Sequence, residues 1–327
     1  MLKRALMAVR TKLIQSKPEI ANPVRGPMRA AIPVVPSLKG SNADGPATHR
    51  ASDFSGALLA ERVLIGGIPI ARVTREDLAR LMEADVVAAR AGSLDRPRFI
   101  TSANGSVVAA YHSDRAFRAA LDSADLIDAD GMPLVLASRV FCRRPLSERT
   151  ATTDFLLDAA GVAAKRDIAF FFLGGRRGVA ARAAEHLRSR FPGLRIAGVR
   201  HGYFTACDIP AIVRAIRASG ADILWVGMGS PRQELFAMEA RNQLAGLAWI
   251  RTCGGLFDHY GGGVSRAPQW MQAGGLEWLY RAAREPVRLG WRYLVTSPVA
   301  LYHLATKTRD WRMPANDDRE RGSHAAT

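Results

Sequence analysis

The sequence predicts an α/β fold, a parallel sheet flanked by helices, and three observations predict it. Short apolar, β-prone segments recur from Val63 to Thr252. Amphipathic helical patterns lie between several of them, and strands separated by helices pair in parallel. Glycine, hydroxyl and acidic residues cluster just after the apolar segments, where sheets of this kind bind their ligands.

Taken in order, residues 1–56 read as a disordered leader. Pro18, Pro23, Pro27, Pro33, Pro36 and Pro46 interrupt any long element there. Its first residues mix Leu2, Leu6, Val9 and Leu13 with Lys3, Arg4, Arg10 and Lys12, which leaves a short basic amphipathic helix as the alternative. The core, residues 57–275, carries candidate strands at Val63–Ile65, Phe99–Ser102, Leu126–Asp128, Ile168–Leu173, Arg195–Gly198, Ile223–Gly227 and Ala248–Thr252. Helical periodicity is clearest over Phe117–Ala124, Val179–Phe191 and Ile209–Ser219. Residues 276–305 form an Arg- and Trp-rich helical appendage that Pro286 divides, and 306–327 read as a flexible tail.

Composition narrows the function. The 327 residues are 48% hydrophobic, enough for a sizeable core, and carry a formal charge of +16. Such a chain favours anionic partners: nucleic acid, phosphorylated molecules or an acidic membrane surface. Only six of its 46 basic residues are lysine, so arginine on solvated faces is the plain alternative. Cys142, Cys207 and Cys253 are odd in number and lack C-x-x-C spacing, which fits neither a disulfide framework nor a structural zinc site. No apolar run reaches the roughly 20 residues that span a bilayer. The basic residues are dispersed and form no recognised nucleic-acid module.

Four strand ends and one glycine turn carry chemistry. Thr101-Ser102-Ala103-Asn104 offers hydroxyl and amide groups, with helix capping as the alternative. Asp128-Ala129-Asp130-Gly131 offers a general base, a D-x-D metal pair or simply an Asp-Gly turn. Leu173-Gly174-Gly175-Arg176-Arg177-Gly178 resembles a phosphate turn, and Thr252-Cys253-Gly254-Gly255 is a second glycine-dense loop. In Ala221–Glu234 an apolar strand meets Gly227 and Gly229, and Ser230, Pro231 and Gln233 read as N-cap, N1 and N3 of a helix with a Ser-x-x-Gln capping box. Free N–H groups at Gly229–Arg232 would form an anion site. Arg232 stands where a dinucleotide fingerprint needs its third glycine, which weakens an oxidoreductase reading without removing it. Arg281, Arg284, Arg288 and Arg292 would share one face of a continuous helix, suited to lipid headgroups or a diphosphate, with a solvated basic face as the alternative.

These segments together resemble the WecG/TagA/CpsF family of bacterial glycosyltransferases. The resemblance rests on Asn104 after Thr101, Ala124-Asp125-Leu126, Asp130-Gly131-Met132, Glu148-Arg149 before Thr153-Asp154, and Phe172-Leu173-Gly174-Gly175. It continues through His201-Gly202-Tyr203-Phe204, Val226–Glu234, Gly254–Asp258, Arg266–Met271 and Gly275–Arg281. It implies a Rossmann-like fold and inverting transfer of a hexose or N-acetylhexosamine-type sugar from a UDP-sugar to a polyprenyl-diphosphate-linked glycan, with no cofactor or metal. It places the catalytic base at Asp130 and substrate-binding residues at Thr101, Asn104, Arg149 and Gln233, with Gly229 and Ser230 in the donor turn. It assigns Arg281, Arg284, Arg288 and Arg292 to docking on the cytoplasmic membrane face and to the acceptor diphosphate. Nucleic acid is not an expected partner, and a homo-oligomer is left open. The chain departs from the family pattern in three places: two residues rather than one separate Thr101 from Asn104, Thr152 stands where glycine is common, and Asp128 lies outside the pattern.

Overall fold

The computed structural model of the protein describes residues 56, 58–262, 267, 268, 270, 271, 277–284, 286 and 290–311. The expectations for the leader through residue 55, for Arg288 and for the tail from residue 312 lie outside the described residues.

Two sheets build the fold. The larger has six strands: β3 (Arg98–Ala103), β4 (Leu126–Ala129), β5 (Ala169–Gly174), β6 (Arg195–Arg200), β7 (Ile223–Gly227) and β8 (Trp249–Thr252). Their order is β4-β3-β8-β7-β5-β6 and every pairing is parallel. Parallel strands buried on both faces read as unbroken apolar runs, and β5 (AFFFLG) and β7 (ILWVG) are buried at every residue. All six strands therefore end along one edge, where Ala103, Ala129, Gly174, Gly227 and Thr252 deliver the chain into loops.

Helices cover both faces. On one lie α1 (Arg75–Arg90), α5 (Thr152–Lys165) and α6 (Val179–Arg190), packed over Ile100, Phe170, Trp225 and Trp249. On the other lie α7 (Ile209–Ala218) and α8 (Arg232–Ala240), over Phe99, Leu224, Val226 and Ile250. Beside β4 a third cluster joins α2 (Gly105–Ser113), α3 (Arg115–Asp122) and α4 (Met132–Phe141). A short α9 (Leu256–Tyr260) follows β8.

The first strand is not part of the parallel sheet. Val63–Ile65 lies in β1 (Arg62–Ile65), which pairs antiparallel with β2 (Ile68–Ala71) and with β9 (Arg309–Asp310). Gly66 and Gly67 have φ of 57° and 85°, the left-handed values that a two-residue hairpin requires. The two-glycine signal was present in the sequence, between Ile65 and Ile68. β9 falls beyond the boundary drawn at residue 306, and it is held by Thr308 Oγ1, which accepts from the Gly66 N–H at 3.0 Å.

The C-terminal helices are α10 (Glu277–Arg284) and α11 (Trp291–Thr306), with Pro286 between them. Arg281 and Arg284 lie in α10 and Arg292 in α11, and residues 285 and 287–289 between them are outside the described residues, as is the shared arginine face expected across them. α11 packs along α2, burying Ala300 and Leu304, while His303 stacks on His112 at 3.7 Å between ring centroids. Its outer face is apolar: Leu294, Val295, Val299, Leu301 and Tyr302 are all exposed.

Candidate active site

Asp130 leaves the end of β4 beside the end of β3. Its N–H donates to Ala103 O at 2.9 Å, and Gly131 follows against Asn104, where a Cβ would sit 3.2 Å from the Asn104 backbone. The loop after α4 returns to the same edge, because Thr150 N–H donates to Ala129 O at 2.9 Å. Thr152 N–H, in the first turn of α5, then donates to Asp130 Oδ1 at 3.3 Å. That is the carboxylate's one hydrogen bond among the described residues.

Other buried carboxylates that bond to the sheet are differently placed. Asp222 accepts from Arg90 Nε and Nη2 and from Ala169 N–H, and Asp85 accepts from Arg98 Nε and Trp249 Nε1, both at 2.7 Å. These acids are spent on anchoring. Asp130 is half-buried with open acceptor capacity, and burial pushes its carboxyl up to about 6, against the opposing pull of Arg149. A base so tuned is largely ionised at neutral pH yet basic enough to take a proton.

Arg149 is brought to this edge by the same loop. Its Nη2 lies 3.9 Å from Asp154 Oδ2 and 3.6 Å from Glu277 Oε2 at the start of α10. Asn104 does what the capping alternative expected: Oδ1 accepts from Val107 N–H at 3.2 Å and caps α2. Its amide nitrogen has no protein partner among the described residues. Thr101 is turned away from the edge. It is fully buried, and its hydroxyl accepts from Thr252 Oγ1 at 2.7 Å across the β3–β8 gap, because alternation along β3 turns it to the face covered by α8.

Asp128, the other half of the D-x-D pair, points to the opposite face from its neighbours Ile127 and Ala129. It is fully buried, and Arg251 Nη1 stands 2.6 Å from its Oδ2. A protein cation thus occupies the position that a shared metal would need. Arg251 itself was not singled out from the sequence, since nothing local marks an arginine in an apolar strand as a partner of Asp128.

The glycine turn after β7 differs from its expected capping. α8 starts at Arg232, Pro231 occupies the cap position, and Ser230 makes no cap hydrogen bond. The Ser230 hydroxyl donates instead to the buried carboxylate of Glu234 at 2.8 Å, a stronger acceptor. Gln233 Nε2 donates to the same Glu234 oxygen at 2.8 Å, and Gln233 Oε1 accepts from Gly254 N–H at 2.8 Å. Gln233 is therefore buried and ties the β7 turn to the β8 loop. Burial raises the Glu234 carboxyl above its ordinary range. Gly229, at φ 75°, has open space on its Cβ side.

Close backbone approach explains the glycines nearby. A Cβ on Gly174 would lie 2.1 Å from Gly227 O, and one on Gly227 would lie 2.8 Å from the Phe257 ring. Farther along the edge a cavity of about 380 Å³ is lined by Arg176, Arg177, Arg200 and His201, at the turn that resembles a phosphate loop.

The described residues thus bring together Asp130, Arg149, Asn104 and Thr152 at one end of the edge, and Gln233, Ser230, Gly229 and Gly254 at its middle. Of the basic residues assigned to the membrane, Arg284 and Arg292 are exposed, with guanidinium carbons 6.0 Å and 5.2 Å from the Tyr280 and Tyr293 ring centroids. The Arg281 side chain lies outside what the structure describes. No helix among the described residues is long and apolar enough to cross a membrane.

Comparison with known proteins gives this arrangement a context. The model of the glycosyl transferase WecG/TagA/CpsF family matches residues 63–313. An N-acetylglucosaminyldiphosphoundecaprenol N-acetyl-beta-D-mannosaminyltransferase of Bacillus spizizenii is 36% identical over 203 residues, which cover 61% of this chain and 76% of that protein. A protein of the same description from Bacillus subtilis is 32% identical over 199 residues, covering 61% and 75%.

Proposed function

Because the chain belongs to the WecG/TagA/CpsF family of glycosyltransferases, and is itself a glycosyltransferase, we propose that it moves a hexose or N-acetylhexosamine-type sugar from a UDP-sugar to a polyprenyl-diphosphate-linked acceptor, with inversion. Membership replaces the oxidoreductase reading. The observation that carries the proposal is Asp130: a half-buried carboxylate with one backbone donor, raised to about 6, at the edge where β3 and β4 end.

Inversion requires one displacement. The acceptor hydroxyl oxygen attacks the anomeric carbon, the bond from that carbon to the UDP oxygen breaks with its electron pair leaving on UDP, and the hydroxyl proton passes to Asp130. Arg149 supplies positive charge to donor phosphate oxygens as the leaving group develops. The Gln233 N–H already meets Gly229 O at 3.2 Å, which leaves the Ser230 and Arg232 N–H groups for the donor diphosphate. Asn104 offers its amide nitrogen to the sugar. Gln233 acts on the donor indirectly, by holding the Gly254 loop. Thr101, buried against Thr252, supports the site from inside the sheet.

The acceptor would be met at the cytoplasmic membrane surface. The outer apolar face of α11, with Arg292 exposed on the same helix and Arg284 exposed at the end of α10, suits an interfacial helix that binds headgroups through arginine. Since both relatives bear the name of N-acetylmannosaminyltransferases, UDP-N-acetylmannosamine is the first donor to test. Purified protein, polyprenyl-diphosphate N-acetylglucosamine and a panel of UDP-sugars, read by mass spectrometry, test the reading. Transfer from one member supports it, and no transfer from any overturns it.

A further inference from the structure

Behind Asp130, on the sheet face covered by α5, four polar side chains meet, three of them buried and Ser102 partly so. Arg251 on β8 and Asp128 on β4 are fully buried and 2.6 Å apart. Arg251 Nη2 also donates to Ser102 Oγ at 2.8 Å and to Thr152 Oγ1 at 3.4 Å, and the Ser102 and Thr152 hydroxyls are 2.9 Å apart. Thr152 is the residue whose N–H holds Asp130 Oδ1. The Phe155 ring lies beside them, its centroid 5.5 Å from the guanidinium carbon.

A buried ion pair is a weak device for stability, since removing two charges from water offsets their attraction. Arg251 touches both Asp128 and Thr152. The network links three elements, β3, β4 and β8, to the first turn of α5, and it reaches the edge through the Thr152 N–H.

We propose that Arg251 is a positioning residue. By clamping Thr152 against Ser102 and Asp128, it fixes the N–H that holds Asp130 Oδ1 and presents Oδ2 to the acceptor hydroxyl. The inference rests on Asp130 being the base. The charged groups that face Asp130 are Arg149 from the loop after α4, Asp128 from β4 and Arg251 from β8, with Asp154 and Glu277 lying on Arg149. Removing the Asp128 charge therefore makes Asp130 easier to ionise, while removing the Thr152 hydroxyl loosens its donor without changing any charge.

The test measures kcat, KM and the pH profile of sugar transfer for full-length Thr152→Val, Thr152→Ser, Asp128→Asn and Asp130→Asn, using the UDP-sugar that the wild type turns over fastest. In parallel, the Asp130 carboxyl is titrated by 13C NMR in aspartate-labelled protein without substrate, assigned by difference against Asp130→Asn. Thr152→Val is expected to lose about tenfold in kcat with KM nearly unchanged, the signature of misplacement rather than lost binding. Thr152→Ser, which keeps the hydroxyl, should recover it. In Asp128→Asn the Asp130 midpoint and the acid limb of the kcat profile should both move to lower pH. If folded Thr152→Val keeps wild-type kcat and the midpoint stays fixed in Asp128→Asn, the network is scaffold alone and the proposal is overturned. If Asp130→Asn itself transfers sugar at the wild-type rate, it is the base assignment that fails.

Discussion

Arg149 Nη2 and Glu277 Oε2 stand 3.6 Å apart, with both side chains largely buried. One residue belongs to the loop that returns to the Asp130 edge, and the other opens the C-terminal helices. The segment proposed to meet the membrane is thus tied to the candidate site by a charged contact. Glu277→Gln removes its charge while keeping its shape. A partly buried pair at this spacing is worth on the order of 1 kcal/mol, so the variant should lose at most about that much stability, and the loosened Arg149 should raise the donor KM several-fold. Unchanged KM with and without lipid vesicles would separate the two segments.

Activity should follow the ionisation of Asp130. With its carboxyl at about 6, kcat/KM should climb about tenfold per pH unit below that value and level off above it, because only the ionised form accepts a proton. Asp130→Asn should cost about 10²–10⁴-fold. Its effect on stability has the opposite sign. A carboxyl raised from 3.8 to about 6 favours folding in its protonated form, so wild-type stability falls as pH rises from about 4 to about 6 and stays lower above. Asn carries no such cost. Asp130→Asn should therefore be more stable than wild type at pH 8, by at most about 3 kcal/mol, and gain little at pH 4. Urea denaturation at the two pH values checks the difference.

Gly174→Ala should be among the most damaging substitutions in the sheet. Its Cβ would lie 2.1 Å from Gly227 O, and its φ of 153° disfavours any side chain. The backbone of β5 or β7 must move, which would also break the Gly175 N–H to Gly227 O bond of 2.9 Å. Soluble yield and melting temperature should both drop. By contrast Gly229→Ala meets no neighbour and is strained only by its φ of 75°, costing about 1 kcal/mol.

Asp85 anchors α1 to the sheet through Arg98 and the Trp249 indole. Asp85→Ala leaves the partly buried Arg98 guanidinium and the buried Trp249 N–H without their acceptor. The expected loss is about 3 kcal/mol, seen as a lower urea midpoint with an unchanged slope. A loss under about 0.5 kcal/mol would mean that water replaces the carboxylate.

Membrane contact is best tested on the outer face of α11 rather than by truncation. Ala300 and Leu304 are buried against the core, so removing the helix would expose apolar surface and confuse unfolding with undocking. Leu294→Ser combined with Leu301→Ser changes exposed residues only. The partition constant for vesicles containing anionic lipid, read by sedimentation, should fall by about a hundredfold or more where both side chains insert fully, given roughly 1.5–3 kcal/mol for each side chain buried in an apolar phase. Binding equal to wild type would remove α11 from the docking surface.

Much of this molecule was legible from local pattern. The strands of the parallel sheet were readable because residues buried on both faces must be apolar without interruption, as in Ala169–Gly174 and Ile223–Gly227. The strand-end location of Asp130 was readable because parallel strands all end on one edge. β2 was missed although Gly66 and Gly67 marked its hairpin, and β9 escaped because two residues paired across most of the chain leave no periodic signal.

The sequence by itself determined the fold class and the family, and it put the candidate site residues at strand ends, since these depend on patterns a few residues long and on the order of motifs. Only the tertiary structure decided what each polar group touches. It turned Thr101 into the sheet, gave Gln233 and Ser230 to Glu234, set Asp128 against Arg251 and placed Glu277 on Arg149. The physical reason is the same in each case. Hydrogen bonds and ion pairs act over about 3 Å, so a side chain's partner depends on which distant segment folding brings within that distance.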